Sequence, residues 1–303
     1  MTSIQDTPYG NLMTDLLFKK AFNPDNEYTK VNLINLINDI LAPQLECPVV
    51  DVHSRDKEQN ASGSHASRCS ILDLHCIDSV GRLFSVEIQI RWMEHFLKRV
   101  VYYASQRIVS QGVPGSDWDY NFKPTYTIAI SNDNYISDDR FVHHVSFCDL
   151  ETKTRFGGYI NFTFIELRKF PGLDARLNSL KAWTYLFKNL HKITKLPDNL
   201  KDEKYTRLLE IAKVAKFNRD ELEKYRSEVM SLEWDESAVR ISYQNLGRKE
   251  GREEGLKEGR EEGREEGRKE RTRELAKGFR DSGVPIDLIS KQSGLSEDEI
   301  RSL

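Results

Sequence analysis

Two short segments with period-two hydropathy, 70–78 (SILDLHCID) and 82–91 (RLFSVEIQIR), are separated only by Ser79, Val80 and Gly81. Side chains alternate between the two faces of a strand, so the pattern predicts an antiparallel hairpin. Ile71, Asp73, His75 and Ile77 share one face of the first strand, and Ser85, Glu87 and Gln89 share one face of the second. Whether those faces coincide depends on the connection. A two-residue loop puts Asp73 and Glu87 on opposite faces, whereas a three-residue loop ending in a left-handed Gly81 sets them directly opposite each other. Two carboxylates about 5.5 Å apart repel unless a cation lies between them. Mg²⁺ suits such a pair, because it takes one or two carboxylates, waters and a phosphate. The same alternation also describes a half-buried hairpin whose polar residues simply face water.

The chain around this hairpin alternates helix and strand. Apolar spacing predicts helices over 11–22 and 28–41, with a short strand at 49–52 and an aperiodic loop over 53–67. Beyond the hairpin, 93–110 has helical spacing, with Tyr102 assigned to the core. Strands follow at 124–131, 141–150 and 158–167, and helices at 175–189, 202–217, 220–231 and 233–246. The result is an α/β plan with a helical annex. At 303 residues there is enough chain for a sizeable core plus appendages. Four scattered cysteines with no CxxC pair exclude a disulfide framework and a zinc ribbon. No stretch reaches the roughly 18 apolar residues of a membrane span, and the N-terminus lacks a basic start followed by an apolar run. A soluble cytoplasmic protein is therefore expected.

Residues 247–271 repeat a four-residue unit, GRKE-GREE-GLKE-GREE-GREE-GRKE, with nine basic and nine acidic residues and six glycines. Such a tract is no phosphate-binding tail. Each glycine costs a helix about 1 kcal/mol relative to alanine, and most charges four residues apart have the same sign. The tract is thus expected to be a solvated linker or spacer helix, with a close-packed oligomerisation helix as the alternative. The segment 272–303 suggests three short helices with turns at Gly283 and Gly294, shaped like a small helix-turn-helix. Its last helix opens on Glu297, Asp298 and Glu299, which favours a packing or oligomerisation cap over a DNA reader.

Four motifs appear in order: Asp15-Leu-Leu-Phe-Lys19-Lys-Ala-Phe22, Ile71-Leu-Asp73-Leu74, Val86-Glu87-Ile88-Gln89 and Arg99-Val-Val-Tyr102-Tyr103. Together they resemble the recombination-promoting nuclease/putative transposase family, which is placed in the PD-(D/E)XK superfamily. The resemblance implies an α/β, restriction-endonuclease-like mixed sheet flanked by helices over 1–190. An all-helical annex (191–246), the Gly/Glu/Arg repeat (247–271) and a small helical C-terminus (272–303) would follow it. It also implies a Mg²⁺-dependent deoxyribonuclease: Asp73 and Glu87 bind the metal with the Ile88 carbonyl as a further ligand, and Gln89 stands where the superfamily usually has lysine. Glutamine orients only by neutral hydrogen bonds, so weaker catalysis or greater reliance on the metal is expected. Asp15 is a candidate third acid and Lys19 a candidate phosphate contact, although an exposed i,i+4 ion pair explains both equally. Arg99 and Tyr103, four apart on one helix face, are candidates for contacting DNA.

Net charge is -3, so any DNA contact must be local; Lys19, Lys20, Arg68, Arg91, Lys98, Arg99 and Arg107 are the basic groups near the motifs. The partners expected are DNA and, through the repeat and C-terminal helices, a second copy of the chain. A catalytically weak or silent DNA-binding or assembly protein on the same fold is the competing reading.

Overall fold

The structure is a computed structural model, and it describes residues 7–55, 74–90, 92–113, 115 and 118–303. It divides into two units, 1–237 and 238–303.

The first unit is built on a six-stranded mixed sheet of order β1-β2-β3-β4-β6-β5. Its strands are β1 (Val52–Ser54), β2 (Leu74–Asp78), β3 (Leu83–Gln89), β4 (Thr125–Ser131), β5 (Val142–Ser146) and β6 (Ile160–Glu166). β1, β2 and β3 pair antiparallel, β3, β4 and β6 run parallel, and β5 closes the far edge antiparallel to β6. The helices are α1 (Asp15–Ala21), α2 (Glu27–Leu41), α3 (Phe96–Val109), α4 (Ser179–Asn189), α5 (Glu203–Ala212) and the start of α6 (Arg219–Asp281). Local chemistry explains several starts. Asn26 accepts from the amides of Tyr28 and Thr29 at the head of α2, Asn178 caps α4 through Lys181, and Asp202 caps α5 through Lys204.

Side-chain alternation gives the sheet two different faces. Phe84, Val86 and Ile88 of β3, with Ile128, Ile130 and Ile165, face the large core. There Leu17, Phe18 and Phe22, Leu33, Ile37 and Ile40, Trp183 and Phe187, and Leu208 close over them. On the opposite face Ala129, Phe162 and Phe164 pack against Phe96, Val100 and Ala104 of α3. Those three α3 residues are spaced by four, so Tyr102 falls on the outer side of the helix and is 59% exposed. Its assignment to the core is corrected: the packing stripe runs through its neighbours.

The hairpin turn sets the register. Asp78 N–H donates to Arg82 O at 3.1 Å and Gly81 N–H to Asp78 O at 3.0 Å, so the connection is three residues long, with Gly81 at φ +87°. The Asp78 carboxylate accepts the amides of Val80 and Arg82 and forms a buried ion pair with Arg82 Nε at 2.7 Å. Arg82 in turn donates to the carbonyl of Cys47. Leu74 then lies opposite Val86, and His75 opposite Ser85.

Three helical expectations are revised. The helix expected over 202–217 ends at Ala212, because the N-terminal segment takes its backbone groups: Gly10 N–H donates to Ala212 O and Val214 N–H to Pro8 O. The helices expected at 220–231 and 233–246 are one helix that continues through the repeat to Asp281. No glycine or proline occurs between 219 and 246 to stop it. Within the repeat, glutamates precede arginines by three residues (Glu261 and Arg264, Glu265 and Arg268), supporting the helix where like charges four apart do not. Glu265 also pairs with Lys269 at 2.8 Å.

In the second unit, α7 (Ile286–Ser293) and α8 (Glu297–Ser302) join the end of α6 around Ala276, Ile289 and Ile300. Gly283 and Gly294 make the turns at φ +83° and +74°, and Ser296 and Glu299 form a capping box at the head of α8.

Candidate active site

β3 is flanked on both sides in the sheet and covered on both faces, and all seven of its residues are buried. Its polar residues are therefore not the water-facing side of a hairpin: Ser85, Glu87 and Gln89 are 2%, 4% and 7% exposed. They point toward the α3 side, opposite the large core. Removing an ionised carboxylate from water costs several kcal/mol unless a partner answers it.

The partner comes from α3. Arg99 Nη2 donates to Glu87 Oε1 and, at 2.9 Å, to Gln89 Oε1. Both oxygens belong to side chains two residues apart on one strand face, and a single nitrogen serves them. The arrangement is charge-assisted and stronger than a neutral hydrogen bond. Arg99 keeps a buried Nε–H with no acceptor among the described residues.

The same face extends along α3 at four-residue spacing. Arg107, two turns beyond Arg99, donates from Nη2 to His75 Nδ1 at 3.0 Å. That contact makes Nδ1 an acceptor, so the proton of a neutral imidazole sits on Nε2. Tyr103 lies between the two arginines in sequence and meets Tyr102 edge-on, with ring centroids 5.7 Å apart. Where α3 ends, Arg55 donates to Ser110 Oγ at 3.1 Å. Ser85 Oγ reaches Thr127 Oγ1 on β4 at 3.1 Å. The contribution of Arg55 was not read from the sequence, since it falls within a stretch that looks like plain loop.

Asp15 is placed in a different cluster. It is 8% exposed, pairs with Lys19 at 2.6 Å and with Lys224 of α6 at 3.3 Å, and belongs to α1, which packs on the large core. Glu228, beside Asp15, accepts the amide of Leu16 at the first turn of α1. Its pKa is raised, chiefly by burial and further by the Asp15 charge. The Asp15–Lys19 pair thus exists, although its acid is buried. Asp73, Arg68 and Arg91 lie outside the described residues.

Among the described residues, no three His, Cys, Asp or Glu side chains converge to hold a metal ion. Glu87 and Gln89 nevertheless present two oxygens to one cationic nitrogen, an oxygen-only donor set that fits Mg²⁺ and not a thiophilic metal.

A mixed sheet flanked by helices, whose central strand carries an acid and an amide under a covering helix, is a restriction-endonuclease-like α/β fold. A family profile described as PD-(D/E)XK nuclease family transposase matches residues 12–241, and the chain belongs to that family. Membership supports a nuclease or transposase-related function. No curated protein and no solved structure matches the chain significantly. No helix among the described residues is long and apolar enough to cross a membrane.

Proposed function

We propose that the chain is a divalent-metal-dependent endonuclease that hydrolyses phosphodiester bonds in DNA, in the setting of recombination or mobile elements. The observation that carries this reading is the burial of Glu87 and Gln89 on one face of β3 against Arg99. A buried carboxylate held in a defined geometry costs stability, and such costs concentrate at functional sites. The three-residue connection and the Leu74–Val86 register support a pairing of Asp73 with Glu87.

In this reading Asp73, Glu87 and the carbonyl of Ile88 hold Mg²⁺. When bound, the ion supplies Lewis acidity at the scissile phosphate and at the attacking water. Glu87 anchors the positive charge of the site from the sheet, while Gln89 orients its neighbours by neutral hydrogen bonds. Arg99, Arg107 and Arg55 provide positive charge along α3 and at its C-terminal end, the local basic surface that a chain of net charge -3 needs to meet phosphates. Tyr103 takes a place beside that path.

Plasmid nicking with Mg²⁺ or Mn²⁺ tests the proposal. The wild type should nick, and Asp73→Ala and Glu87→Gln should each lose roughly 100-fold or more of the rate. A wild type that binds DNA but cuts with no divalent cation would overturn the nuclease reading in favour of a silent binding protein on the same fold.

A further inference from the structure

We propose that Arg99 is the resting occupant of the cation position at Glu87 and Gln89: a divalent ion enters by exchange with its guanidinium, which then serves the substrate phosphate. The proposal rests on the nuclease reading above.

Three observations support it. First, Arg99 Nη2 bonds both Glu87 Oε1 and Gln89 Oε1, so one positive nitrogen already sits where the two oxygens converge. A cation using those oxygens must take that place, since two positive charges within a few ångströms of one buried carboxylate repel each other. Second, Gln89 cannot supply the charge that a lysine would bring to the developing phosphorane. Among the described residues, Arg99 is the cationic side chain bonded to Glu87 and Gln89. Third, its guanidinium is only partly engaged: Nε–H is buried without an acceptor among the described residues. A planar fork with donors to spare matches the oxygens of a phosphate.

The side chain also reaches the surface. It is 20% exposed, against 5% for Glu87, so its outer edge reaches solvent while its partner does not. Release from Glu87 therefore means turning toward the surface along which a DNA strand would run. Before metal arrives, the same contact neutralises Glu87 and keeps β3 intact. One residue thus acts as counterion in the resting protein and as phosphate ligand in the loaded one, without any backbone rearrangement.

A purely structural counterion predicts something different. Its removal would loosen the fold on either account, but for a purely structural counterion it would leave metal affinity unchanged or reduced. Exchange predicts the opposite sign, because the competitor is gone. Mn²⁺ affinity is measured by isothermal titration calorimetry on the full chain, with circular dichroism confirming that each variant is folded. Arg99→Gln should bind Mn²⁺ roughly tenfold or more tightly than wild type while its nicking rate falls roughly 100-fold. Arg99→Lys, a point charge without the fork, should lie between the two on both measures. In the wild type itself, the Arg99 Nε–H resonance, identified by its loss in Arg99→Lys, should move to rapid solvent exchange as Mg²⁺ saturates.

The proposal is overturned if Arg99→Gln binds Mn²⁺ no more tightly than wild type, or if saturating Mg²⁺ leaves the Nε–H signal protected. Those results leave the nuclease reading standing when the wild type still binds metal and nicks. A wild type that neither binds Mn²⁺ nor nicks removes the nuclease reading and this one together.

Discussion

The guanidinium of Arg99 on α3 bonds the carboxylate of Glu87 on β3 across the covered face of the sheet, and the same nitrogen bonds Gln89. Helix and strand are thereby tied at the one point where the central strand is most polar. Truncating either partner leaves a buried charge unanswered. Glu87→Ala should therefore lower unfolding stability by roughly 3–5 kcal/mol, read as a reduced urea midpoint. A loss below about 1 kcal/mol would mean that the pair is effectively solvated.

Gln89 can be converted into the lysine usual in the superfamily, but the site already holds a cation. Gln89→Lys should place an ammonium against Arg99 Nη2 and cost roughly 1–3 kcal/mol. The double variant Gln89→Lys/Arg99→Gln should recover most of that loss, since it restores one positive charge beside Glu87. Thermal melts of the two single variants and the double form a cycle whose coupling energy measures the effect.

Gly81 adopts φ +87° at the end of the hairpin loop, and a Cβ there would stand 3.1 Å from Lys123 Cγ. The lysine stem can give way; the backbone cannot. Gly81→Ala should cost about 1–2 kcal/mol through the left-handed conformation alone, and equilibrium denaturation checks it. A neutral outcome would show that the turn tolerates a different geometry.

His191 follows α4, with Nδ1 buried and unpartnered among the described residues. Burial, assisted by the charge of Lys192, pushes its pKa down to about 4 from an ordinary 6.5. The folded chain thus resists protonation where the unfolded chain accepts it. Its contribution is complete above pH 6.5 and is lost as pH falls toward 4, up to about 3 kcal/mol. The gap in stability between wild type and His191→Gln, measured by urea denaturation from pH 7 to pH 4, should narrow across that window.

In the repeat helix, a methyl at Gly255, Gly259 or Gly263 meets nothing within 4 Å. Alanine at each position should therefore stabilise the helix by about 1 kcal/mol. The triple variant should hold its 222 nm ellipticity to higher temperature than wild type. A loss of helical signal would reveal a close contact that only glycine permits.

Much of this protein was legible in local patterning. The hairpin, the helices that flank it and the two glycine turns of the C-terminal unit follow from period, capping chemistry and positive-φ residues. These are effects of neighbours in sequence. The boundary between helices 220–231 and 233–246 was misread because the pattern weakens there, and weak amphipathicity does not end a helix when no residue breaks it. The placement of Tyr102 was misread because adjacent aromatics on a helix lie about 100° apart, and only packing decides which one turns inward.

The site divides along the same line. Sequence alone determined that Glu87 and Gln89 share a face, because alternation on a strand is local geometry. It also placed Arg99 four residues before Tyr103 on one helix face. Only the tertiary structure decided that β3 lies inside the sheet with α3 over it, so that the polar face is buried and the cation bonded to Glu87 is an arginine from another element. Which charge answers a buried carboxylate depends on how distant segments pack. No periodicity carries that information, because the free energy of the contact arises only when both partners leave water together.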